Sequence, residues 1–208
     1  ITATAYPFVQ DDIPKTLPEL IIQVDNSPNY NDIYVNSQTG NDNNPGTLQN
    51  PLQTIGQALT NASSGDTIYL MNGNYTLADM NSRVNHPNNL PDFTKYTTIT
   101  SAPNNNPRII EGISGVGVSF LKFKDVTFDL TNLECPCEID ESIFMVYSNR
   151  HHFWFDNVGF FGPEPVEDNA YPYNNIRGIS LSGDTSYTLI ENSHFSHLYN
   201  GIMYNNDE

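Results

Sequence analysis

From residue 65 onward the chain alternates apolar and polar positions in short runs, and the runs recur. Five align as Ile68-x-Leu70-x-Asn72, Thr97-x-Ile99-x-Ser101, Leu121-x-Phe123-x-Asp125, Phe153-x-Phe155-x-Asn157 and Thr188-x-Ile190-x-Asn192. Each offers two side chains to one face at period two, then a small polar residue, which is strand periodicity. In the last three the alternation resumes at once, as Val126-x-Phe128, Val158-x-Phe160 and Ser193-x-Phe195. Two such runs keep their apolar sides inward only if the chain bends between them. The pattern predicts strands joined by corners. Asp125, Asn157 and Asn192 stack at one corner, where polar side chains satisfy backbone groups that leave the ladder. Phe128, Phe160 and Phe195 form an aromatic ladder inside. Ile143–Val146, Gly178–Leu181 and Gly201–Tyr204 are further strand candidates.

The aligned runs are 29, 24, 32 and 35 residues apart. Irregular repeats of that size suit a parallel β-helix, whose corners absorb insertions. A β-sandwich is the alternative, but it needs no repeated corner residue.

Ahead of the repeats the order changes. Ile33-Tyr34-Val35 is a short β patch, and GNDNNPGT at 40–47 is rich in turn formers. Asn50-Pro51 has the form of an N-cap followed by proline in the first helical turn. Ile55, Leu59 and Ala62 recur at helical spacing, so the spacing predicts a short helix over 51–62 that covers one end of the stack. Residues 1–30 carry four prolines and two β-prone patches, Tyr6–Val9 and Leu20–Val24, and read as an extended arm. The expected organisation is that arm, then a β-helix over 31–208 with a cap at 31–65 and coils at 66–208. The final strand candidate lies next to Glu208 with no capping helix after it. The C-terminal end is therefore expected to be open, to be covered by more chain or another subunit.

The stretch Ile33-Tyr34-Val35, Gly40-Asn41-Asp42, Asn44-Pro45-Gly46-Thr47, Asn50-Pro51-Leu52-Gln53-Thr54-Ile55, Ala58-Leu59, Gly65-Asp66-Thr67-Ile68-Tyr69-Leu70 and Gly73-Asn74-Tyr75 resembles the cap and first coil of pectate-lyase-like right-handed parallel β-helix proteins. It is most similar to those related to family 9 polysaccharide lyases. The resemblance implies an all-β stack with three parallel sheets, usually extracellular, often meeting polysaccharide on a sheet face. In lyases of that kind, calcium bound by carboxylates and a lysine or arginine base carry out the elimination. Epimerases and adhesins share the same opening.

Charge narrows the partners. With 24 acidic and 8 basic residues the formal net charge is -16, which repels nucleic acid and anionic membrane surfaces and suits calcium. No run of apolar residues is long enough to insert in a membrane. The chain opens at Ile1 without an initiator Met, which reads as a mature, secreted or cell-surface protein after removal of a signal peptide, or as a trimmed segment. Asn61 and Asn74 lie in N-glycosylation sequons. Cys135 and Cys137 flank a single proline. That leaves a strained bridge, an intermolecular bridge or two thiols as readings.

Candidate chemistry is sparse. Elimination from a uronate requires a base at the C5 proton and cations on the carboxylate. Lys122 and Lys124, beside Asp125 and Asp129, are the candidate constellation, with a solvated strand face as the alternative; Arg108 and Arg150 are the other cations considered. Glu134, Glu138, Asp140 and Glu141, and separately Glu164, Glu167 and Asp168, are calcium candidates without EF-hand spacing. His151-His152 and His194-x-x-His197 lack an evident third ligand. The 23 Tyr and Phe residues exceed what a thin interior holds. Tyr171, Tyr173, Tyr199 and Tyr204 are therefore candidates to stack on sugars or pack on a partner. The leading expectation is a surface assembly subunit, of filament or adhesin type, that contacts its own copies through the arm or the open end. A calcium-dependent polysaccharide lyase and a non-catalytic carbohydrate-binding module are the alternatives.

Overall fold

The structure, a computed structural model, describes residues 31–76, 93–114, 118–132, 142–146, 150–163, 176–182 and 187–205. The chain winds as a right-handed parallel β-helix of about four turns. One sheet orders its strands β1 (Asp32–Val35), β2 (Thr67–Leu70), β4 (Thr97–Ser101), β7 (Leu121–Lys124), β10 (Phe153–Asp156) and β13 (Thr188–Glu191). The second holds β3 (Asn74–Tyr75), β5 (Arg108–Ile109), β8 (Thr127–Asp129), β11 (Gly159–Phe161) and β14 (His194–Ser196). The third holds β6 (Ile113–Ser114), β9 (Ser142–Val146), β12 (Arg177–Ser182) and β15 (Asn200–Asn205). All pairings are parallel, which requires each strand to meet its partner one full turn later.

The alternation in the sequence becomes vertical columns. Ile33, Ile68, Ile99, Phe123, Phe155 and Ile190 are successive register partners in the first sheet. Tyr75, Ile109, Phe128, Phe160 and Phe195 are successive partners in the second. Phe128 and Phe160 stack at 5.0 Å and 3°, and Phe160 and Phe195 at 4.8 Å and 5°. Those separations match the ~4.8 Å between hydrogen-bonded strands, so the backbone ladder itself spaces the rings. Each such pair contributes roughly 0.5–1.5 kcal/mol beyond the burial of its area.

Asp125, Asn157 and Asn192 occupy the corner between the first two sheets, with φ of 52°, 56° and 52°. Asn and Asp tolerate this left-handed backbone best among residues with a Cβ, which accounts for the polar residue after each run. The Asn157 side-chain amide donates to Asp125 Oδ1 at 2.8 Å. That of Asn192 turns instead to Asp156 Oδ1, at 3.2 Å.

Two sequence expectations need correction. Ile68 pairs with Ile99, not Thr97, so the first repeat sits two residues out of the predicted register and its spacing is 31 residues (68 to 99). The parity of inward positions survives a shift of two, which is why the alternation alone did not expose it. The cap helix, α1, is Ile55–Asn61, and its N-cap is Thr54, whose hydroxyl accepts from the Gln57 N–H at 3.1 Å. Asn50-Pro51 does not start it, because Leu52 is used as sheet. Its N–H donates to Tyr34 O at 2.9 Å, and its side chain is fully buried. Asp42, from the turn-rich run, accepts from the N–H groups of Gln53 and Thr54 and so sets the approach to the helix. Gly40 lets that loop close: a Cβ there would lie 2.1 Å from Leu52 O. Ile55, Ala58 and Leu59 of α1 cover the end of the stack. No helix among the described residues is long and apolar enough to cross a membrane.

Candidate functional site

Parallel stacking turns outward positions into columns as well. On the outer face of the first sheet, one column reads Tyr34, Tyr69, Thr100, Lys124, Asp156 and Glu191. The neighbouring column reads Asp32, Thr67, Thr98, Lys122, Trp154 and Leu189. Tyr34 and Tyr69 stack at 5.2 Å. The β4 strand places only threonines outward, between Tyr69 on one side and the two lysines on the other. A trough results. It measures about 550 Å³, and its walls include Tyr69, Thr98, Thr100, Lys122, Lys124 and Asp125, with the Ser101–Asn104 turn closing one flank.

The two lysines differ. Lys122 Nζ lies 3.0 Å from Asp156 Oδ2 and 3.3 Å from the centre of the Trp154 ring, so its ammonium is held on the sheet. The indole N–H of Trp154 donates to Glu191 Oε1 at 3.0 Å. Hydrogen bonds from Lys122 and Asn192 keep the Asp156 carboxyl below the usual carboxylate range. Lys124 lies 4.0 Å from Asp125, and its side chain is 47% exposed. Its ammonium faces the groove.

Asp129 does not join this group. It lies on β8, around the corner in the second sheet, where Arg108 pairs with it and Thr131 donates to it. Burial pushes its carboxyl up, but the bonds from Thr131 and Arg108 outweigh that and hold it below the usual range. Among the described residues, Asp125 is thus the single carboxylate that lines the groove. A calcium ion takes six to eight oxygens, and here one carboxylate is flanked by two ammonium groups, so the groove does not fit that ion.

Glu134, Glu138, Asp140, Glu141, Glu164, Glu167 and Asp168 lie outside the described residues, as do Cys135, Cys137, Tyr171, Tyr173 and residues 1–30. Asn61, at the end of α1, and Asn74, on β3, are both exposed. Among the described residues no three His, Cys, Asp or Glu side chains group as metal ligands.

Sequence reasoning missed a second feature of this face. Tyr96, Phe120, His152 and Tyr187 each immediately precede a rung of the register Thr97, Leu121, Phe153, Thr188. Their rings form an external ladder along the other corner of the first sheet. Tyr96 meets Phe120 edge-on at 5.9 Å, Phe120 stacks on His152 at 4.2 Å, and His152 stacks on Tyr187 at 4.5 Å. Phe120, His152 and Tyr187 have φ of 59°, 62° and 60°. Left-handed backbone costs bulky residues roughly 1–2 kcal/mol each, and the stacking helps offset it. The signal was present: these four residues stand 24, 32 and 35 apart, the same intervals as the rungs that follow them. His151 Nδ1 lies 2.8 Å from His152 Nδ1. Burial, and then His151, lower the pKa of His152.

Residues 38–97, from the cap loop to the first residue of β4, match the family described as "Protein of unknown function (DUF1565)". No curated protein matches the chain. Among solved structures, the GH136 lacto-N-biosidase from Eubacterium ramulus is similar in its native and selenomethionine forms. Identities are 14% and 13%, TM-scores are 0.45 and 0.46, and each match covers 79% of this chain and 34% of that one. The chain thus spans about a third of that enzyme's length. Its three all-parallel sheets, together with the matched cap segment, make it a parallel β-helix protein.

Proposed function

We propose that this is an extracellular or cell-surface β-helix that binds an acidic polysaccharide, without turnover, in the groove on the outer face of the six-stranded sheet. The observation that carries this reading is the juxtaposition of Tyr69, the hydroxyls of Thr98 and Thr100, and the exposed Lys124 ammonium across adjacent strands. An aromatic wall suits the apolar face of a sugar ring, the hydroxyls suit its own, and the ammonium suits a carboxylate or sulfate. In a chain of net charge -16, the groove presents the exposed ammonium of Lys124, while Lys122 beside it is paired with Asp156.

Binding is favoured over catalysis for two reasons. An elimination base must be an uncharged amine, whereas both lysines lie beside carboxylates that pair with an ammonium. Glycoside hydrolysis of the usual kind uses two carboxyl groups, and among the described residues the groove lining offers one. The cap motif supports a pectate-lyase-like ancestry without requiring its chemistry. The test is titration with galacturonan and alginate oligosaccharides. Binding by the wild type and a loss of about tenfold or more in Lys124→Ala are expected, from the net worth of a charge-assisted bond. Binding that ignores Lys124 would overturn the assignment, and accumulation of ultraviolet-absorbing unsaturated uronate products would overturn its non-catalytic part.

A second reading, the assembly subunit, is favoured by the last described coil. Ile202 and Tyr204 pair in register with Ile179 and Leu181, yet they are 51% and 56% exposed, whereas Ile179 is fully buried. Among the described residues nothing packs over Ile202 and Tyr204, and an exposed apolar pair of this kind suits cover by a coil of a second copy. Light scattering across protein concentration decides it: a mass that stays monomeric removes this reading.

A further inference from the structure

We propose that Tyr187 is a distinct sugar-stacking subsite, so that a bound glycan crosses the outer face obliquely, from the groove over the lysine and tryptophan strands to Tyr187 on the external aromatic ladder. This inference rests on the groove as a glycan site and extends it.

Three observations carry it. First, the Tyr187 ring is 71% exposed, but it is not loose: it stacks on His152, which stacks on Phe120, and three consecutive left-handed backbones place the rings in line. A ring anchored before the ligand arrives loses little freedom on binding, as in the rigid aromatic anchors of carbohydrate and protein interfaces. Second, the ladder flanks the same outward face as the groove. Tyr96 immediately precedes Thr97 on the groove strand β4, and Tyr187 occupies the equivalent position three strands further along. At a strand spacing of ~4.8 Å that is an axial rise of ~14 Å, to which the offset along the strand adds, so the span is too long for one sugar ring and suits an oligosaccharide. Third, the two borders of this face differ in chemistry. One is the aromatic ladder. The other is the corner of Asp125, Asn157 and Asn192, whose amides and carboxylate offer hydrogen bonds. A sugar chain, with apolar ring faces and polar edges, is complementary to a trough bordered in that way.

The test compares chain lengths. The wild type and the variants Tyr187→Asn, Tyr187→Trp and Lys124→Ala would be titrated calorimetrically with galacturonan and alginate oligomers of two and six residues, the lengths chosen as ~ below and above the span between the subsites. Asn suits left-handed backbone, so Tyr187→Asn removes the ring without adding strain, and a thermal melt confirms the fold. The expected result is about a tenfold loss for the hexamer in Tyr187→Asn, no change for the dimer, and hexamer affinity retained in Tyr187→Trp. Lys124→Ala should weaken both lengths. A hexamer that binds Tyr187→Asn as tightly as wild type would overturn the subsite while leaving the groove intact. Equal loss for both lengths would also overturn it, since the ring would then act on the groove and not as a separate contact. Failure of the wild type to bind any oligomer would remove the groove reading and this one together.

Discussion

Asn157 reaches down one coil to Asp125, its side-chain amide donating to the carboxylate at 2.8 Å, while both residues hold a left-handed backbone. The contact joins the two roles of the corner: it permits the bend and ties consecutive turns together. Replacing Asn157 with Ala removes the hydrogen bond and places a Cβ residue without a polar tip at positive φ. A loss of about 2 kcal/mol is expected. Asn157→Gly removes the bond but not the backbone tolerance, and should lose about half as much. Urea unfolding midpoints check this, and equal losses in the two variants would show that backbone conformation is not what selects Asn there.

The internal aromatic column should weaken toward its last rung. Phe160 is fully buried between Phe128 and Phe195, whereas Phe195 is only partly buried. Phe160→Ala is expected to cost about 3–5 kcal/mol, as for other large truncations in a packed core. Phe195→Ala should cost clearly less. Denaturation of the two variants under the same conditions compares them directly.

Trp154 is the only tryptophan in the chain, so its emission reports on the proposed binding face. Lys122→Met removes the ammonium above the ring and the ion pair to Asp156. A shifted emission maximum and a stability loss of about 1–2 kcal/mol are expected from a partly buried cation–π contact with an ion pair. An emission spectrum identical to wild type would contradict the placement of Lys122 over the indole.

Stability should fall in two steps on acidification. The pKa of His152 is depressed, by burial first and then by His151, so between the folded value and the ordinary 6.5 the unfolded chain binds the proton more readily. Its contribution is full above 6.5 and is lost as pH falls through the folded value. Asp129 and Asp156 are also depressed, so their contribution is full above the ordinary 3.8 and is lost as pH falls below it. Thermal melts from neutral to acid pH should show both steps, and His152→Asn should diminish the first. A first step that persists unchanged in that variant would assign it to another group.

Much of the coil was readable from single residues. Phe123, Phe128, Phe155 and Phe160 announce inward columns because period two leaves each only one buried side to occupy. Asp125, Asn157 and Asn192 announce a corner because few residues with a Cβ accept its backbone. The boundary of α1 was less legible. Leu52 reads equally well as the first turn of a helix or as the edge of a sheet, and only the free hydrogen-bonding edge of β1 decides between them. The same holds for Asp129, which reads in sequence as one strand with the lysines, whereas the bend at Asp125 carries it to another sheet.

Alternation and corner residues, both local properties of the chain, thus determined that this protein coils and which side chains face inward. Which outward side chains meet was decided by the tertiary structure alone. Tyr69, Thr100 and Lys124 become neighbours, as do Phe120, His152 and Tyr187, only because parallel stacking brings residues a full turn apart to the spacing of hydrogen-bonded strands. Loops of unequal length separate those turns, and the register across them is set by the packing of the whole column and not by any one segment.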